Sequence, residues 1–336
     1  MADLEVRELR YFRAVAEERN FSRAAERLGM AQPPLSRAIR QLERRLGVQL
    51  LERGNRQVTP TTAGLVLLGE AVRVLDAVTA AAHRTRRAAL DTPTVVVTAK
   101  PGVATDLLRR IAETYGKRPD AARVEIIISG YGEEPAMLRT GRADVALLGS
   151  PNTDHHGLDR EPLTSEPRVA ALPAGHELAR HGSLSCHDLV GLPFPQPPGT
   201  SRTALDYWAG RDTATPTDRP VLTATPPAHA PRPAGEPAPP PTAALPDSPG
   251  PLVRDSSQLL EAVALGQAVA LIPLSLAERN RRDDVVHRPV SDASPYTISI
   301  AWPSGARSAS VAAFVRTAIE VTADARTSTD DLDATA

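Results

Sequence analysis

The chain is poor in residues that staple, stack or anchor. One cysteine, Cys186, in 336 residues cannot build an internal disulfide framework, and such scarcity fits a reducing compartment. Aromatic residues make up 3 %, too few for a surface that stacks bases or sugars on successive rings. No stretch approaches the roughly 18 consecutive apolar residues of a membrane span. The opening MADLEVRELR is charged, with no apolar signal-peptide core behind it. The expectation is a soluble, cytoplasmic protein with no membrane partner. Lysine is almost absent, with only Lys100 and Lys117; a bias of that kind carries no function by itself. Catalytic signatures are missing as well. There is no phosphate-binding glycine loop, no Gly-x-Ser-x-Gly, no Gly-x-Gly-x-x-Gly after a strand and no metal-ligand set. Neither an enzyme nor a cofactor nor a resident metal is expected.

What is present is unevenly spread. Hydrophobic residues at 41 % suffice for real cores, and the length suits two domains or one domain plus a split one. Net charge is −1 overall, yet residues 1–90 hold 16 arginines and no lysine against 10 carboxylates, which leaves −7 for the rest. A basic front on an acidic remainder points to an anionic partner for one end only.

Within that front, Leu9, Phe12, Val15 and Ala16 recur at helical spacing. NFSRAAERLG follows, with Ser22 as the expected N-cap, Ala24, Ala25 and Leu28 inward, and Gly29 closing the helix. After a short turn at Met30, AQPPLSRAIRQLERRLG at 31–47 places Leu35, Ile39, Leu42 and Leu46 on one face. Gly47 stands where a left-handed cap belongs. Pro33 and Pro34 cost nothing in a first turn, whose N–H groups have no internal acceptor, and they stiffen the start. The outward face carries Gln32, Ser36, Arg37, Arg40 and Arg44. A helix–turn–helix sets its second helix in the major groove. There Gln can bond adenine, Arg can bond guanine or phosphate, and Ser can bond a base or a backbone oxygen. Charge alone would equally suit a solvated arginine face; the preceding helix, the tight turn and the basic front favour DNA. VQLLERGNRQVTPT then reads as two short strands around Gly54-Asn55.

From Thr61 to Leu90 there is no proline, and Leu65, Leu68, Val72 and Leu75 recur at alternating three and four. This spacing predicts a helix of about 29 residues, about 43 Å long. Such a stripe either faces a second helix or lies on the chain's own second domain. DTPT at 91–94 breaks the helix. Beyond it TVVVTA, RVEIIIS and ADVALLG alternate, as strands, with GVATDLLRRIAETYG and EEPAMLRTGR, as helices. That alternation implies a parallel sheet covered on both faces. RVAALPAGHELA, QLLEAVALGQAVALIPLSLAER and YTISIAWPSG keep the pattern before a last helix near 308–321. Between Asp212 and Pro251, 13 of 40 residues are proline, so a disordered or extended insert is expected there. The tail at 326–336 is expected to be disordered too.

The front segment carries a family resemblance. Leu-x-Tyr-Phe, Ser-x-Ala-Ala, Gln-Pro-Pro-Leu-Ser-Arg, Leu-Glu-x-x-Leu-Gly, Leu-Leu-Glu-Arg and Thr-x-x-Gly occur in order over residues 9–64. The stretch resembles the N-terminal domain of LysR-type transcriptional regulators. That resemblance implies an all-α winged helix-turn-helix domain at 1–60 and a dimerising linker helix at 61–90. It implies an α/β effector domain at 91–325, built of two Rossmann-like halves of the periplasmic-binding-protein type II kind. Half I would take 94–163 and 274–325, and half II 164–273. The implied partners are double-stranded operator DNA, a small-molecule effector, a second copy in a homodimer extended to a tetramer, and RNA polymerase. By motif position the DNA contacts fall on Gln32, Pro33, Pro34, Ser36 and Arg37, with Ser22 and Arg40 beside them and Arg53 and Arg56 in the wing. Effector contacts map onto Lys100, Ser129, Gly130, Tyr131, Gly149, Thr200 and Ser201.

Lys100 at a helix start suggests an anionic effector, an ordinary exposed lysine being the alternative. Downstream, LRTGRADVALLG, ALPAGHELA and AVALGQAVALIP resemble the family more loosely, and Ala268 replaces a family glycine. That replacement and the insert leave open a second reading, in which the C-terminal region is only an oligomerisation or partner module. His155-His156 reads as an exposed loop pair rather than a metal site, His176 as a loop-fixing residue, and Cys186 beside His187 as an inert thiol.

Overall fold

Burial follows the apolar spacing of the N-terminal segment. The computed structural model describes residues 4–54, 57–89, 91–100, 102, 104–151, 154–212 and 249–333. Helices α1 (Val6–Glu18), α2 (Phe21–Arg27) and α3 (Gln32–Leu46) share one core containing Leu9, Phe12, Val15, Ala24, Ala25, Leu35, Ile39 and Leu42. The cap of α2 is Asn20 rather than Ser22. Its side-chain oxygen accepts the backbone N–H groups of Ser22 and Arg23 at 2.9 and 3.1 Å. Phe21 packs against the core, which starts the helix before the serine and leaves Ser22 on the exposed side.

The two strands β1 (Leu51–Arg53) and β2 (Val58–Pro60) pair antiparallel, with Leu51 opposite Pro60 and Arg53 opposite Val58. Glu43 of α3 accepts the N–H groups of Leu50 and Leu51 at 3.0 and 3.2 Å, tying this hairpin to the helix. Helix α4 (Thr62–Ala88) starts on Thr61, whose hydroxyl accepts the Gly64 N–H at 3.0 Å. Its buried face is Gly64, Leu67, Ala71 and Leu75, whereas the expected stripe began at Leu65, which is exposed. A Cβ on Gly64 would overlap the Leu50 carbonyl oxygen. That close approach sets the helix rotation and turns Leu65 outward.

A second unit begins at Thr94. Its first half holds β3 (Thr94–Ala99), α5 (Thr105–Gly116), β4 (Arg123–Ile128), α6 (Glu134–Arg139), β5 (Val145–Gly149) and β6 (Leu158–Glu166). Its second half holds β7 (Arg168–Pro173), β8 (Phe194–Gln196), α7 (Arg202–Trp208), β9 (Pro249–Leu252), α8 (Ser256–Ala264), β10 (Ala270–Pro273), α9 (Leu274–Arg279) and β11 (Val285–Pro289). Strand β12 (Tyr296–Pro303) and α10 (Ala309–Asp333) then return to the first half. The five-stranded sheet runs β4-β3-β5-β12-β6. The expected parallel pairing holds for β4, β3 and β5, while β12 is antiparallel to both its neighbours. One face packs Val95, Val97, Ile111, Tyr115, Ile300 and Phe314 beneath α5 and α10. The other packs Val96, Ala146 and Leu148 against Met137 and Leu138 of α6. The second half is an antiparallel sheet, β10-β7-β11, beside a parallel pair, β8 and β9.

Three boundaries differ from expectation. The chain returns to the first half at Tyr296 rather than at 274, because β11 pairs with β7 over five residues. Strands β10 and β11 flank β7 on opposite edges, so α9 is the crossover between them. The tail is helical to Asp333; no glycine or proline interrupts it, and extending a helix is cheaper than nucleating one. The proline-rich segment ends in a strand, with Pro249 opposite Phe194. A two-stranded edge tolerates the missing N–H of proline. The rest of that segment, 213–248, lies outside the described residues.

The rotation of α4 makes a paired prediction. Gly64→Ala lowers the urea midpoint of the N-terminal unit, with a cost of about 1–3 kcal/mol from overpacking. Gly69→Ala, where a Cβ meets nothing within 4 Å, raises the midpoint through a stability gain of about 0.5–1 kcal/mol. Far-UV circular dichroism reads both; shifts of the same sign would refute the close approach as the cause.

Candidate nucleic-acid interface and effector cleft

Helix α3 begins with prolines at its first positions and has no side-chain cap. Gln32, Pro33, Arg37, Arg40 and Arg44 are exposed, while Pro34 and Ser36 are half-buried. Arg40 reaches back one turn and donates to the Ser36 hydroxyl at 3.1 Å and its carbonyl at 3.3 Å. Among the described residues Arg37 and Arg44 have no ion pair or hydrogen bond. Other arginines are committed within the unit. Arg45 pairs with Glu8 of α1, and Arg27 pairs with Glu17 at 2.8 Å and Glu18 at 3.2 Å. The structure thus brings Gln32, Ser36, Arg37 and Arg40 onto one helix face and puts Ser22 on the exposed start of α2. Arg53 lies in β1; Arg56 falls outside the described residues.

Within the second unit, a cavity of about 580 Å³ opens between the two halves. It gathers five of the seven expected effector residues, namely Lys100, Tyr131, Gly149, Thr200 and Ser201. Ser129 and Gly130 do not line it. The Ser129 N–H continues the strand ladder to the Ala99 carbonyl at 3.1 Å, and its side chain is buried. Gly130 is exposed, its N–H held by Glu133 at 3.1 Å. Ser201 caps α7, accepting the Ala204 N–H at 3.3 Å. Gly149 is glycine for a local reason: any Cβ would collide with the Tyr296 hydroxyl.

Lys100 is the one cation among the described residues lining the cavity, which the carboxylates of Glu134 and Asp154 line as well. Its Nζ lies 5.1 Å from the ring centre of Tyr296, 5.6 Å from Trp208 and 5.8 Å from Tyr131, all within cation–π range. Among the described residues it forms no ion pair or hydrogen bond. The residue keeps some surface open to the cavity, yet its ammonium end sits deep among protein atoms. Burial pushes its pKa below the usual lysine range, and Glu134 and Tyr131 partly pull it back. Glu134, buried and lining the same cavity, is pushed the other way: burial raises its carboxyl, with Lys100 opposing. Burial also raises the Tyr131 phenol to about 12. Glu134, Trp208 and Tyr296 were not among the expected residues. The legible signal is scarcity, because two of the chain's five tyrosines and one of its two tryptophans surround one lysine.

Elsewhere, His176 Nδ1 accepts the Leu178 N–H at 3.2 Å and so caps a helical turn. The Cys186 thiol is pushed up to about 12 by burial and then by Asp292, the condition of an unreactive thiol. Among the described residues no group of three His, Cys, Asp or Glu could hold a metal, and no helix is long and apolar enough to cross a membrane.

Comparison with known proteins places these features in context. Residues 6–65 match the bacterial regulatory helix-turn-helix protein family of lysR type. Residues 88–228 and 243–323 match the LysR substrate binding domain. The chain is 31 % identical over 217 residues to the Hca operon transcriptional activator HcaR of Escherichia coli, covering 63 % of this chain and 73 % of the relative. It is 35 % identical over 200 residues to the HTH-type transcriptional regulator BenM of Acinetobacter baylyi, covering 58 % and 66 %. Among solved structures, a mutant of full-length BenM superposes with a TM-score of 0.51 at 25 % identity, covering 95 % of this chain and 96 % of that one. CbnR, a LysR family transcriptional regulator, gives 0.52 at 22 % identity, covering 95 % and 99 %, a likeness of fold alone.

The cavity's unpaired charge has a measurable cost. A lysine whose folded pKa is depressed penalises the folded state fully below that pKa, and the penalty vanishes as pH rises to the unfolded value. Lys100→Met therefore raises the melting midpoint at pH 7, by about 2–4 °C for each kcal/mol recovered. The gain shrinks as pH approaches the ordinary lysine range. A midpoint unchanged at pH 7, or a gain that grows with pH, would contradict the buried, unpaired ammonium.

Proposed function

The chain belongs to the LysR family of bacterial helix-turn-helix transcription regulators, and from that premise we propose that α3 reads operator DNA while an anionic small molecule occupies the cleft. The observation that carries the DNA reading is the sorting of α3. Leu35, Ile39 and Leu42 are buried, and the opposite face offers Gln32, Ser36, Arg37 and Arg40, while the one carboxylate of the helix, Glu43, is engaged by the Leu50 and Leu51 N–H groups. The stiff Pro33-Pro34 start supports the placement that base-edge hydrogen bonds demand. Arg40 steadies the Ser36 hydroxyl, so the two act on one stretch of backbone or one base step. The exposed Leu65, Val66, Val74 and Val78 of α4 supply an apolar surface for a second copy, which suits a homodimer on two half-sites.

For the effector, the support is the ammonium of Lys100, set in a cavity of drug-sized volume with hydroxyls at Thr200 and Ser201. A C-terminal region that served only as a partner module would have no use for an unpaired charge there. Occupancy biases the angle between the two halves, and that bias is the switch the DNA-binding pair answers to.

The operator claim is tested by gel-shift titration on a fragment selected from the organism's own promoters. Arg37→Ala and Ser36→Ala each weaken binding by about 1–3 kcal/mol, a loss of roughly 5- to 150-fold. The Arg37 variant also lowers the salt slope if its partner is a phosphate. Unchanged affinity in both folded variants removes α3 from the interface.

A further inference from the structure

We propose that Lys100 is a reactive amine that captures its effector covalently, so that the effector is an oxo acid: a small carboxylate bearing an aldehyde or ketone carbonyl. This rests on the effector cleft proposed above and goes beyond it. The observation is one of residue choice and placement. Of 39 lysines and arginines only two are lysine, and one of those two is the cation inside the cavity. Gripping a carboxylate is work that arginine does better, through its bidentate fork. What arginine cannot do is give up its proton and become a nucleophile, which a buried lysine can.

The surroundings suit that chemistry. Three aromatic rings within 6 Å of Nζ take the place of part of its hydration, and no carboxylate among the described residues pairs with the ammonium. Burial pulls the pKa of the ammonium down, which favours the neutral amine that attacks a carbonyl. Glu134 lines the same cavity and is itself buried, which favours its protonated form and makes it a proton source in the same enclosure. Leu271, Ile272 and Leu276 offer an apolar wall for the body of the acid.

The step balances without an external oxidant or reductant. The Nζ lone pair forms a bond to the carbonyl carbon as the C=O π pair moves to oxygen, which takes a proton from Glu134. The nitrogen then loses a proton to the Glu134 carboxylate, giving a neutral carbinolamine. Glu134 passes that proton to the hydroxyl, which leaves as water, the nitrogen pair forms the C=N bond, and the iminium proton returns to the Glu134 carboxylate. Water is the only product released, and hydrolysis reverses the capture, as a sensor requires.

Lys117 supplies an internal control, since it is exposed at the end of α5. The full chain is incubated at pH 7 with glyoxylate, pyruvate, 2-oxoglutarate or phenylpyruvate, reduced with sodium cyanoborohydride, and mapped by peptide mass spectrometry. At least one acid gives a reduced adduct on Lys100 that exceeds the adduct on Lys117 by about tenfold or more, the gain expected for each unit by which an amine's pKa falls. Lys100→Arg loses the adduct while keeping the positive charge. Thermal-shift titration with the same acids and with lactate and acetate separates the two levels of the account. Saturable stabilisation by the acids with no adduct on Lys100 overturns covalent capture and leaves the anion site standing. Labelling of Lys117 equal to that of Lys100 overturns it as well. Neither adduct nor stabilisation across the whole set overturns both.

Discussion

Burial of Leu35, Ile39 and Leu42 fixes the rotation of α3, and with it the set of side chains that the N-terminal unit can present. Fully burying one such side chain stabilises by roughly 1.5–3 kcal/mol. Turning the helix by one residue would expose all three and push serine and arginine toward the core, at a cost of many kcal/mol. A good base contact returns only about 1–3 kcal/mol. The interior therefore decides which face is outside, and the outer face can be specialised without endangering the fold. The Glu43 link to Leu50 and Leu51 and the Arg45–Glu8 pair brace the same helix from the hairpin and from α1.

The second unit uses the reverse logic. Its sheets and helices are apolar and well filled, yet the cavity between its halves holds an ammonium with aromatic faces for company. Each cation–π contact supplies about 0.5–2 kcal/mol, whereas taking an ion out of water costs several kcal/mol. The rings soften the penalty without cancelling it, so the site gains from any ligand that neutralises or consumes the charge. Gly149 belongs to this arrangement: without its bare Cα the Tyr296 hydroxyl could not lie where it does.

How much of this was legible in the sequence divides along contact range. Helices α1 to α3 and their inner faces follow from periodicity, because local spacing and core burial agree there. The N-cap of α2 was misplaced by two residues, since the pull of Phe21 on the core is tertiary. The face of α4 was misread because a single backbone approach, Gly64 against Leu50, sets the rotation, and no spacing rule contains it. The second half of the effector unit was drawn too short because β11 chooses β7 as its partner across more than a hundred residues. In the cleft, family motifs located Lys100, Tyr131 and Gly149 at strand ends. Glu134, Trp208 and Tyr296 come from three separate elements and meet only in the folded chain.

The central claim is that the N-terminal end of α3, from Gln32 to Arg40, sits in a DNA groove. A structure of the chain bound to a promoter fragment selected from its own genome tests this most directly. The account predicts α3 in the major groove of each half-site, with Gln32, Ser36 and Arg37 within hydrogen-bond distance of bases or phosphates. A complex in which that helix face is open to solvent while DNA lies on another surface would contradict it.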